Sequence, residues 1–430
     1  MKTKISPWAW IPTLYIAQGL PYVSVMTIAV VMYKGMDISN TDIALYTSWL
    51  YLPWVIKPIW SPFVDILKSK RWWIVVMQSL IAVAFASVAF MMNQSFFFEA
   101  TLACFWLLAF SSATHDIASD GFYMLGLDSN EQTFFVGIRS TFYRIAMISG
   151  QGLFVVLAGA LENGKLIPGV GGNTALAWSI TFYLLSGLFV AFVLYHKVVL
   201  PKPETDVERE KADAKTLLHD SLQTFVSFFR KKEIGLALTY LLTYRLCESQ
   251  LVKMTTPFLM DGRDKGGLGL STYEIGFAYG TFGVIGLVAG GILGGIAASA
   301  KGLKYWNLPM AVIINLPVLI FVIMSYTQPD DLWLITLYMV IEQFGYGFGF
   351  AAFLLYMIYI ADGEHKTAHY AICTGFMALG MMLPGMVSGW IQSLIGYQWF
   401  FIWVAVCALP GIWVASRLKI DSAFGLKTKE

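Results

Sequence analysis

Charge is what this sequence has least of. Of its 430 residues only 13% are Asp, Glu, Lys or Arg, where a soluble domain carries about a quarter. The shortage excludes an ordinary water-soluble enzyme. The net charge of +2, with no basic block, offers nothing to hold nucleic acid. Cysteine is also scarce. Cys104, Cys247, Cys373 and Cys407 stand singly in apolar runs, without a Cys-x-x-Cys pair. They read as small buried residues, which argues against a disulfide frame or a thiolate metal site. The apolar run behind Lys2 and Lys4 lacks a clear small-residue cleavage site and is longer than a signal-peptide core. It is expected to stay as the first membrane helix.

What is abundant is apolar length. Hydrophobic residues make up 57% of the chain, gathered in runs of about 20, the length that crosses a bilayer as a helix. We read twelve spans, at 8–33, 41–66, 72–92, 96–124, 133–160, 174–197, 234–260, 272–298, 305–326, 331–361, 367–394 and 397–417. An even number puts both ends on one side, and Lys and Arg choose it. One set of flanks holds Lys2, Lys4, Lys68, Lys70, Arg71, Lys197, Arg230, Lys231, Lys232, Lys301, Lys304, Lys366, Arg417 and Lys419. The other holds only Lys34, Lys165, Arg263 and Lys265. The richer set is expected to be cytoplasmic, and both termini with it.

Residues 198–232 form the longest connection. It opens with Pro201 and Pro203, is charged from Lys202 to Lys211, and turns amphipathic through Leu217, Leu218, Phe225, Phe228 and Phe229. We expect a cytoplasmic linker with a helix lying on the membrane. It separates an N-terminal bundle, 1–197, from a C-terminal bundle, 233–430, with six spans each. The halves look like repeats. Ile38-Ser39-Asn40-Thr41-Asp42-Ile43 returns as Leu270-Ser271-Thr272-Tyr273-Glu274-Ile275, Arg71-Trp72-Trp73 as Lys304-Tyr305-Trp306, and Gln18 as Gln250, at the same spacing to within one residue. Two parallel six-helix repeats are the plan of the major facilitator superfamily. The loop after the second span supports it. Ser61 to Arg71 resembles that superfamily's signature Gly-x-x-x-Asp-Arg-x-Gly-x-Arg-Arg, matched by Asp65, Lys70 and Arg71; Ser61, Ile66 and Lys68 depart from it, and the second half has Ala298 where Asp65 would be. The expected fold is therefore all-α, a major facilitator of 12 transmembrane helices in two pseudo-symmetric bundles.

The stretch from Ser111 to Arg144 gathers ionisable groups where they are costly. Asp116 and Asp120, four apart, share a helix face with Ser112 and Tyr123. Arg139 and Arg144 follow on the next span. Depth counting sets Asp120 level with Arg139 near the cytoplasmic end, and Asp116 deeper, closer to Arg144. We expect Asp120 and Arg139 to latch two neighbouring helices, and Asp116 and Arg144 to handle substrate or a proton. His115 points about 100° away from Asp116 and is expected to be hydrogen-bonded rather than catalytic.

Span seven carries Tyr244, Arg245, Glu248, Ser249, Gln250 and Lys253. Arg245 and Glu248, three apart, can neutralise one another, whereas Lys253 is less easily paired. So many charges require that helix to face protein or water. In span ten Glu342 lies near mid-depth with no basic neighbour on its own helix. An acid so placed is open to protonation; the structural alternative is a pair with Arg245 or Lys253. Gly345, Gly347 and Gly349 read as close-packing points. Lys57 in span two snorkels, pairs with a carboxylate, or meets an anion. Asp42 and Glu274 look like the acids of Ser-x-x-acid helix starts.

The resemblance now narrows. Gln18-Gly19-Leu20-Pro21, Lys57-Pro58-Ile59-Trp60-Ser61-Pro62-Phe63-Val64-Asp65, Ser112-Ala113-Thr114-His115-Asp116-Ile117-Ala118-Ser119-Asp120 and Arg144-Ile145-Ala146-Met147 resemble the AmpG-type muropeptide permeases, which are related to the acetyl-CoA transporters. Family members read Lys-x-x-Trp-x-Pro-x-x-Asp in span two and Ala-Thr-x-Asp-x-x-x-Asp in span four. After the second Asp, relatives often continue Ala-Tyr-Arg, where this chain has Gly121-Phe122-Tyr123. The resemblance implies a proton-coupled importer in the inner membrane. It would carry peptidoglycan fragments, anhydro sugars with an attached peptide, into the cytoplasm by alternating access, with Lys57, Asp116, Asp120 and Arg144 in its functional core.

Helices one, four, seven and ten of such folds line the cavity. The expected substrate contacts are Gln18, Tyr22, Lys57, Asp116, Arg144, Arg245, Glu248, Gln250 and Lys253. Glu342 or Asp116 would carry the proton. Asp65, Lys70, Arg71, Asp120 and Arg139 would form a cytoplasmic gate. No cofactor or metal is expected beyond the coupling proton, nor a nucleic-acid partner, and the chain is expected to be a monomer. Three alternatives stay open: a major facilitator for another oligosaccharide, a peptide or an acyl-CoA-type anion; a membrane enzyme built on His115 and Asp116; and a non-transporting receptor.

Overall fold

The computed structural model describes residues 5–127, 129–203, 206, 223–363, 366–422 and 424, leaving aside the side chains at 65, 66, 129, 130, 132, 133, 136, 137 and 367. Every regular element among these residues is helical. Such a chain has little choice, because in hydrocarbon each N–H and C=O must be satisfied, and a helix does so within its own segment.

Among the described residues, eight helices are long and apolar enough to cross a membrane: Pro7–Gly35, Lys70–Met91, Phe97–Gly126, Ile138–Glu162, Thr174–Val199, Thr272–Thr327, Leu332–Ala361 and Ala368–Arg417. Two of them, at 56 and 50 residues, are about twice the length of one crossing. Each breaks at a glycine of positive φ, Gly302 at 80° and Gly396 at 71°. Only a residue without a Cβ adopts that backbone freely, and both breaks fall where two expected spans meet. The expected second and seventh spans are themselves divided. A turn at Leu50 and Tyr51 separates Asn40–Trp49 from Leu52–Leu67, and a turn at Tyr244 and Arg245 separates Ile234–Thr243 from Leu246–Met260. Hydropathy does not register such breaks, since the turn residues are as apolar as their neighbours or sit among them.

The chain packs as two compact units, Met1–Met32 with Ile56–Ser221, and Tyr33–Val55 with Leu222–Glu430. Residues 33–55, from the expected first bundle, therefore group with the second unit. Most of the expected linker, including Leu217 and Leu218, lies outside the described residues. Of its amphipathic end, Phe225 and Phe229 are exposed, but Phe228 is fully buried against Phe229 and His369 in the core of the second unit. That residue packs against protein, where a helix lying on the membrane would have sent it into lipid.

In the first unit, Trp10, Leu14, Ile74 and Phe122 form one core. A polar chain, fully buried at Gln78, His115, Ser119 and His196, runs beside it. Gln78 donates its amide N–H to His115 Nε2 at 3.0 Å and its carbonyl oxygen accepts from His196 Nδ1 at 3.0 Å; Ser119 lies 3.4 Å from His115 Nδ1 and Thr13 2.9 Å from His196 Nε2. With Gln78 so placed, both rings carry their proton on Nδ1, and every ring nitrogen is used.

In the second unit the long helices Val284–Asn315 and Leu332–Ala361 touch backbone to backbone. A Cβ on Gly347 would collide with the carbonyl oxygen of Leu287, and one on Gly290 with that of Phe344. The expected role of span ten's glycines in close packing is thus seen at Gly347, and Gly286, Gly290 and Gly294, spaced four apart on the facing helix, meet it in the same way. Helix starts follow the expected chemistry. Ser39 Oγ accepts the Asp42 N–H at 3.1 Å, and Ser271 with Glu274 closes a reciprocal capping box.

Candidate functional site

The first unit brings Gln18, Lys57 and Asp116 together. Lys57 Nζ donates to one oxygen of Asp116 and Gln18 Nε2 to the other. Three separate helices supply them: Ile11–Val23, Leu52–Leu67 and Phe97–Gly126. Lys57 and Asp116 are 22% and 21% exposed, so the pair is neither sealed nor open. The carbonyl oxygen of Gln18 is buried and meets no hydrogen-bond donor among the described residues. Depth counting sets Asp116 closer to the level of Arg144, and one reading of Lys57 is a pair with a carboxylate; the structure shows that pair. Asp116 turns to Lys57, and Arg144, half-buried, makes no hydrogen bond or ion pair among the described residues. Counting residues gives depth but not the direction in which a helix face points.

Asp120 meets the partner expected of it. Arg139 Nη1 lies 3.4 Å from its carboxylate, and Tyr15 donates to the same oxygen at 3.2 Å. Arg139 also donates to the Tyr15 hydroxyl at 3.0 Å, with its guanidinium 4.6 Å from the centre of the Tyr123 ring. The two tyrosines make the pair a cation–π stack as well as a salt bridge. The expected gate residues Lys70 and Arg71 open the helix Lys70–Met91. The Asp206 carboxylate caps their helix, accepting both backbone N–H groups at 2.6 and 3.0 Å. Arg71 spends its guanidinium on the carbonyls of Leu200 and Lys197, beyond and within the last turn of Thr174–Val199. The Lys70 stem lies over Gly121, where a Cβ would press on it. The side chain of Asp65 lies outside the described residues. Tyr22 is half-buried on the first helix.

The second unit holds the other cluster. Arg245, in the turn that divides span seven, grips Glu248 with two hydrogen bonds of 2.6 and 2.7 Å. It also donates to the Tyr346 hydroxyl at 3.0 Å and lies 4.9 Å from the centre of the Phe350 ring. Lys253, only 1% exposed, donates to Thr47 Oγ1 at 2.8 Å and sits 5.1 Å from the centre of the Tyr51 ring. No acid pairs with it among the described residues. Glu342, 4% exposed, accepts a hydrogen bond of 2.7 Å from Gln343, which also donates to the Tyr279 hydroxyl at 3.3 Å. No cation reaches Glu342 among the described residues; Arg245 is committed to Glu248, and Lys253 to Thr47. Gln250, expected at the substrate, gives both ends of its amide to protein, the oxygen to Trp403 at 2.9 Å and the nitrogen to the Leu246 carbonyl at 3.1 Å.

One cluster in this unit has no sequence signal. Beyond the end of span seven, Asp261 accepts from Lys34 at 2.6 Å, Tyr397 at 2.5 Å and Asn40 at 3.0 Å. Asn40 also donates to Gln392 at 3.1 Å. Burial alone would push the Asp261 carboxyl up, but hydrogen bonds from Lys34, Tyr397 and Asn40 hold it below its ordinary value.

Residues 13–368 match the profile of the Major Facilitator Superfamily. The chain belongs to that superfamily. Its relatives include a putative transporter AmpG 4 of Rickettsia conorii, 24% identical, with 94% of each chain covered. Another is the anhydromuropeptide permease of Escherichia coli K12, 24% identical over 88% of this chain and 73% of that one. Among solved structures, the nucleoside transporter NupG superposes with a TM-score of 0.69 at 16% identity, covering 96% of this chain and 99% of the other. A bacterial homologue of the lysosomal transporter Spinster gives 0.68 at 14%, covering 97% and 96%. These likenesses show the major facilitator fold. Its members here are transporters, so the chain is a multi-pass membrane protein of a transporter family and not of an enzyme family. Its expected ligand is a small molecule.

Sequence reading missed Tyr15, Tyr123, Tyr346 and Phe350 as partners of the arginines. A Tyr or Phe within a turn of the cluster was the available signal, at Tyr123 beside Asp120. Nothing local pointed to Thr47 or to Asp261.

Proposed function

We propose that the chain is a proton-coupled importer of anhydro-muropeptides across the inner membrane, working by alternating access with both termini in the cytoplasm. The observation that carries this reading is the meeting of Gln18, Lys57 and Asp116, residues from three separate motifs of the AmpG resemblance, as one hydrogen-bonded group. The permease named for such substrates in Escherichia coli supports it through likeness over most of both chains. A muropeptide offers carboxylates to unpaired cations and hydroxyl or amide donors to an unpaired acceptor. Arg144 and Lys253 are such cations, and the Gln18 carbonyl oxygen is such an acceptor. Glu342 is the acid assigned to the coupling proton, since no cation among the described residues holds it ionised. Asp120 and Arg139 serve as the cytoplasmic latch, while Arg71 fixes a helix end.

The test is uptake of an anhydro-muropeptide into proteoliposomes, with and without an imposed pH gradient. Accumulation that needs the gradient is expected. Facilitated equilibration without accumulation would reject the coupling. Uptake of an unrelated acyl-CoA-type anion or oligosaccharide, uncompeted by muropeptide, would reject the substrate.

A further inference from the structure

A cavity of about 270 Å³ in the second unit takes no part in this transport reading. Its walls are the start of the helix at Ile234, the end of Leu332–Ala361, and the segment at Leu418 and Lys419. All three are span ends on the side rich in Lys and Arg. The walls are fastened to one another. Lys231 Nζ donates to the carbonyls of Ile360 and Asp362, both at 2.6 Å. Lys419 reaches Glu233 at 2.9 Å, and the Asp421 N–H lies 3.4 Å from the Tyr359 hydroxyl.

Its chemistry is mixed. Apolar Leu236, Ile360 and Leu418 line it together with charged Lys232, Glu233 and Lys419. Lys419 and Glu233 cancel; their hydrogen bond holds the Glu233 carboxyl below its ordinary value and the Lys419 ammonium above its own. Lys232 makes no hydrogen bond or ion pair among the described residues. Lys232 acts on Glu233 through its charge alone, so two lysines against one glutamate leave the cavity a net positive charge among apolar residues.

We propose that this cavity binds the phosphodiester headgroup of an anionic glycerophospholipid, with its phosphate at Lys232 and its glycerol and first acyl carbons along Leu236, Ile360 and Leu418. A free anion would use the cation but gain nothing from the apolar residues, and a neutral lipid would gain nothing from Lys232. The leaflet on a membrane protein's Lys- and Arg-rich side is where anionic lipids meet such basic pockets. The inference rests on membrane insertion alone and not on the muropeptide reading.

The test is native mass spectrometry of the whole chain released from nanodiscs of phosphatidylglycerol mixed with phosphatidylethanolamine. The wild type is expected to retain phosphatidylglycerol selectively, and Lys232→Gln to retain about fivefold less, in line with about 1 kcal/mol per basic residue at an anionic surface. Leu236→Asn should weaken retention of the lipid but not capture of soluble glycerol phosphate. Equal retention by wild type and Lys232→Gln overturns the proposal. So does binding of glycerol phosphate as tight as that of the lipid. Lys232 is exposed, so its loss leaves the fold intact and either result is readable.

Discussion

The two units treat charge differently. In the first, both acids of the cluster meet cations, Asp116 with Lys57 and Asp120 with Arg139, and one cation, Arg144, is left over among the described residues. In the second, only Arg245 and Glu248 pair within the cluster, leaving both an acid, Glu342, and a cation, Lys253, without a counter-ion among the described residues. Paired ions can be explained as fasteners between or along helices. An unpaired ion away from water is costly; among the described residues Glu342 and Lys253 have only neutral partners, and half-buried Arg144 has none. The difference suggests a division of labour. On the proposed transport reading, the paired acids of the first unit would hold geometry around a substrate group, while the lone acid of the second would change its proton.

The largest expected effect comes from removing that freedom. Glu342→Gln keeps the hydrogen-bonding shape but holds no exchangeable charge, so accumulation driven by a pH gradient is expected to vanish while substrate exchange persists. Equal accumulation by variant and wild type in proteoliposomes would sink the assignment. In the first unit Asp116→Asn should instead lower substrate exchange itself, because it unbinds Lys57. If both variants lost exchange to the same degree, the division between the units would be wrong.

Stability separates paired from unpaired ions. Arg245→Met strands Glu248 in a buried site and is expected to cost about 3–5 kcal/mol, seen as a fall in the thermal unfolding midpoint of detergent-purified protein. Lys253→Met strands no acid, so its midpoint should hold or rise. Equal destabilisation by the two would mean that Lys253 has a counter-ion after all.

Much of this pattern was legible in the sequence, for a physical reason. Arg245 and Glu248 are three apart on one chain segment, and Asp120 and Arg139 flank one short turn, so local geometry nearly dictates both pairs. Ser271 and Glu274 were legible in the same way. Asp116 with Lys57 was not, because depth along a helix says nothing of azimuth around it, and Lys57 arrives from a helix far away in the chain. The grouping of residues 33–55 with the second unit was hidden for the same reason; their hydropathy belongs to the first two spans whichever neighbours they choose. The broken spans at Leu50 and Arg245 were hidden because an apolar run records burial and not hydrogen bonding.

A middle-sized effect should sharpen the comparison from the substrate's side. Arg144→Met and Lys253→Met each remove one unpaired cation. If a substrate carboxylate meets either, the loss of a charged hydrogen bond of about 1.5–3 kcal/mol weakens binding by roughly 10- to 100-fold. Equilibrium binding to the purified variants reads this without any need for coupling. Unchanged affinity in both would remove carboxylate recognition from the proposal.

The smallest effect concerns Asp261, whose charge is balanced entirely within the second unit and beyond the end of its span. Its carboxyl is held below the ordinary Asp value of 3.8 by Lys34, Tyr397 and Asn40, against the upward push of burial. A lowered folded-state value means that the unfolded chain takes up its proton first as pH falls. The stabilisation is therefore fully present above the unfolded value of about 3.9, and is lost as pH falls from there through the folded value. Asp261→Asn should accordingly lower the unfolding midpoint by an amount equivalent to about 2 kcal/mol, constant between about pH 5 and 7. The gap between variant and wild type should then close below about pH 4. The contrast with Glu342→Gln is the useful part. A residue committed to three donors should alter stability above this acid window and leave gradient-driven accumulation in place, and an Asp261 variant that abolished accumulation without lowering the midpoint would move the coupling proton out of the span and onto its end.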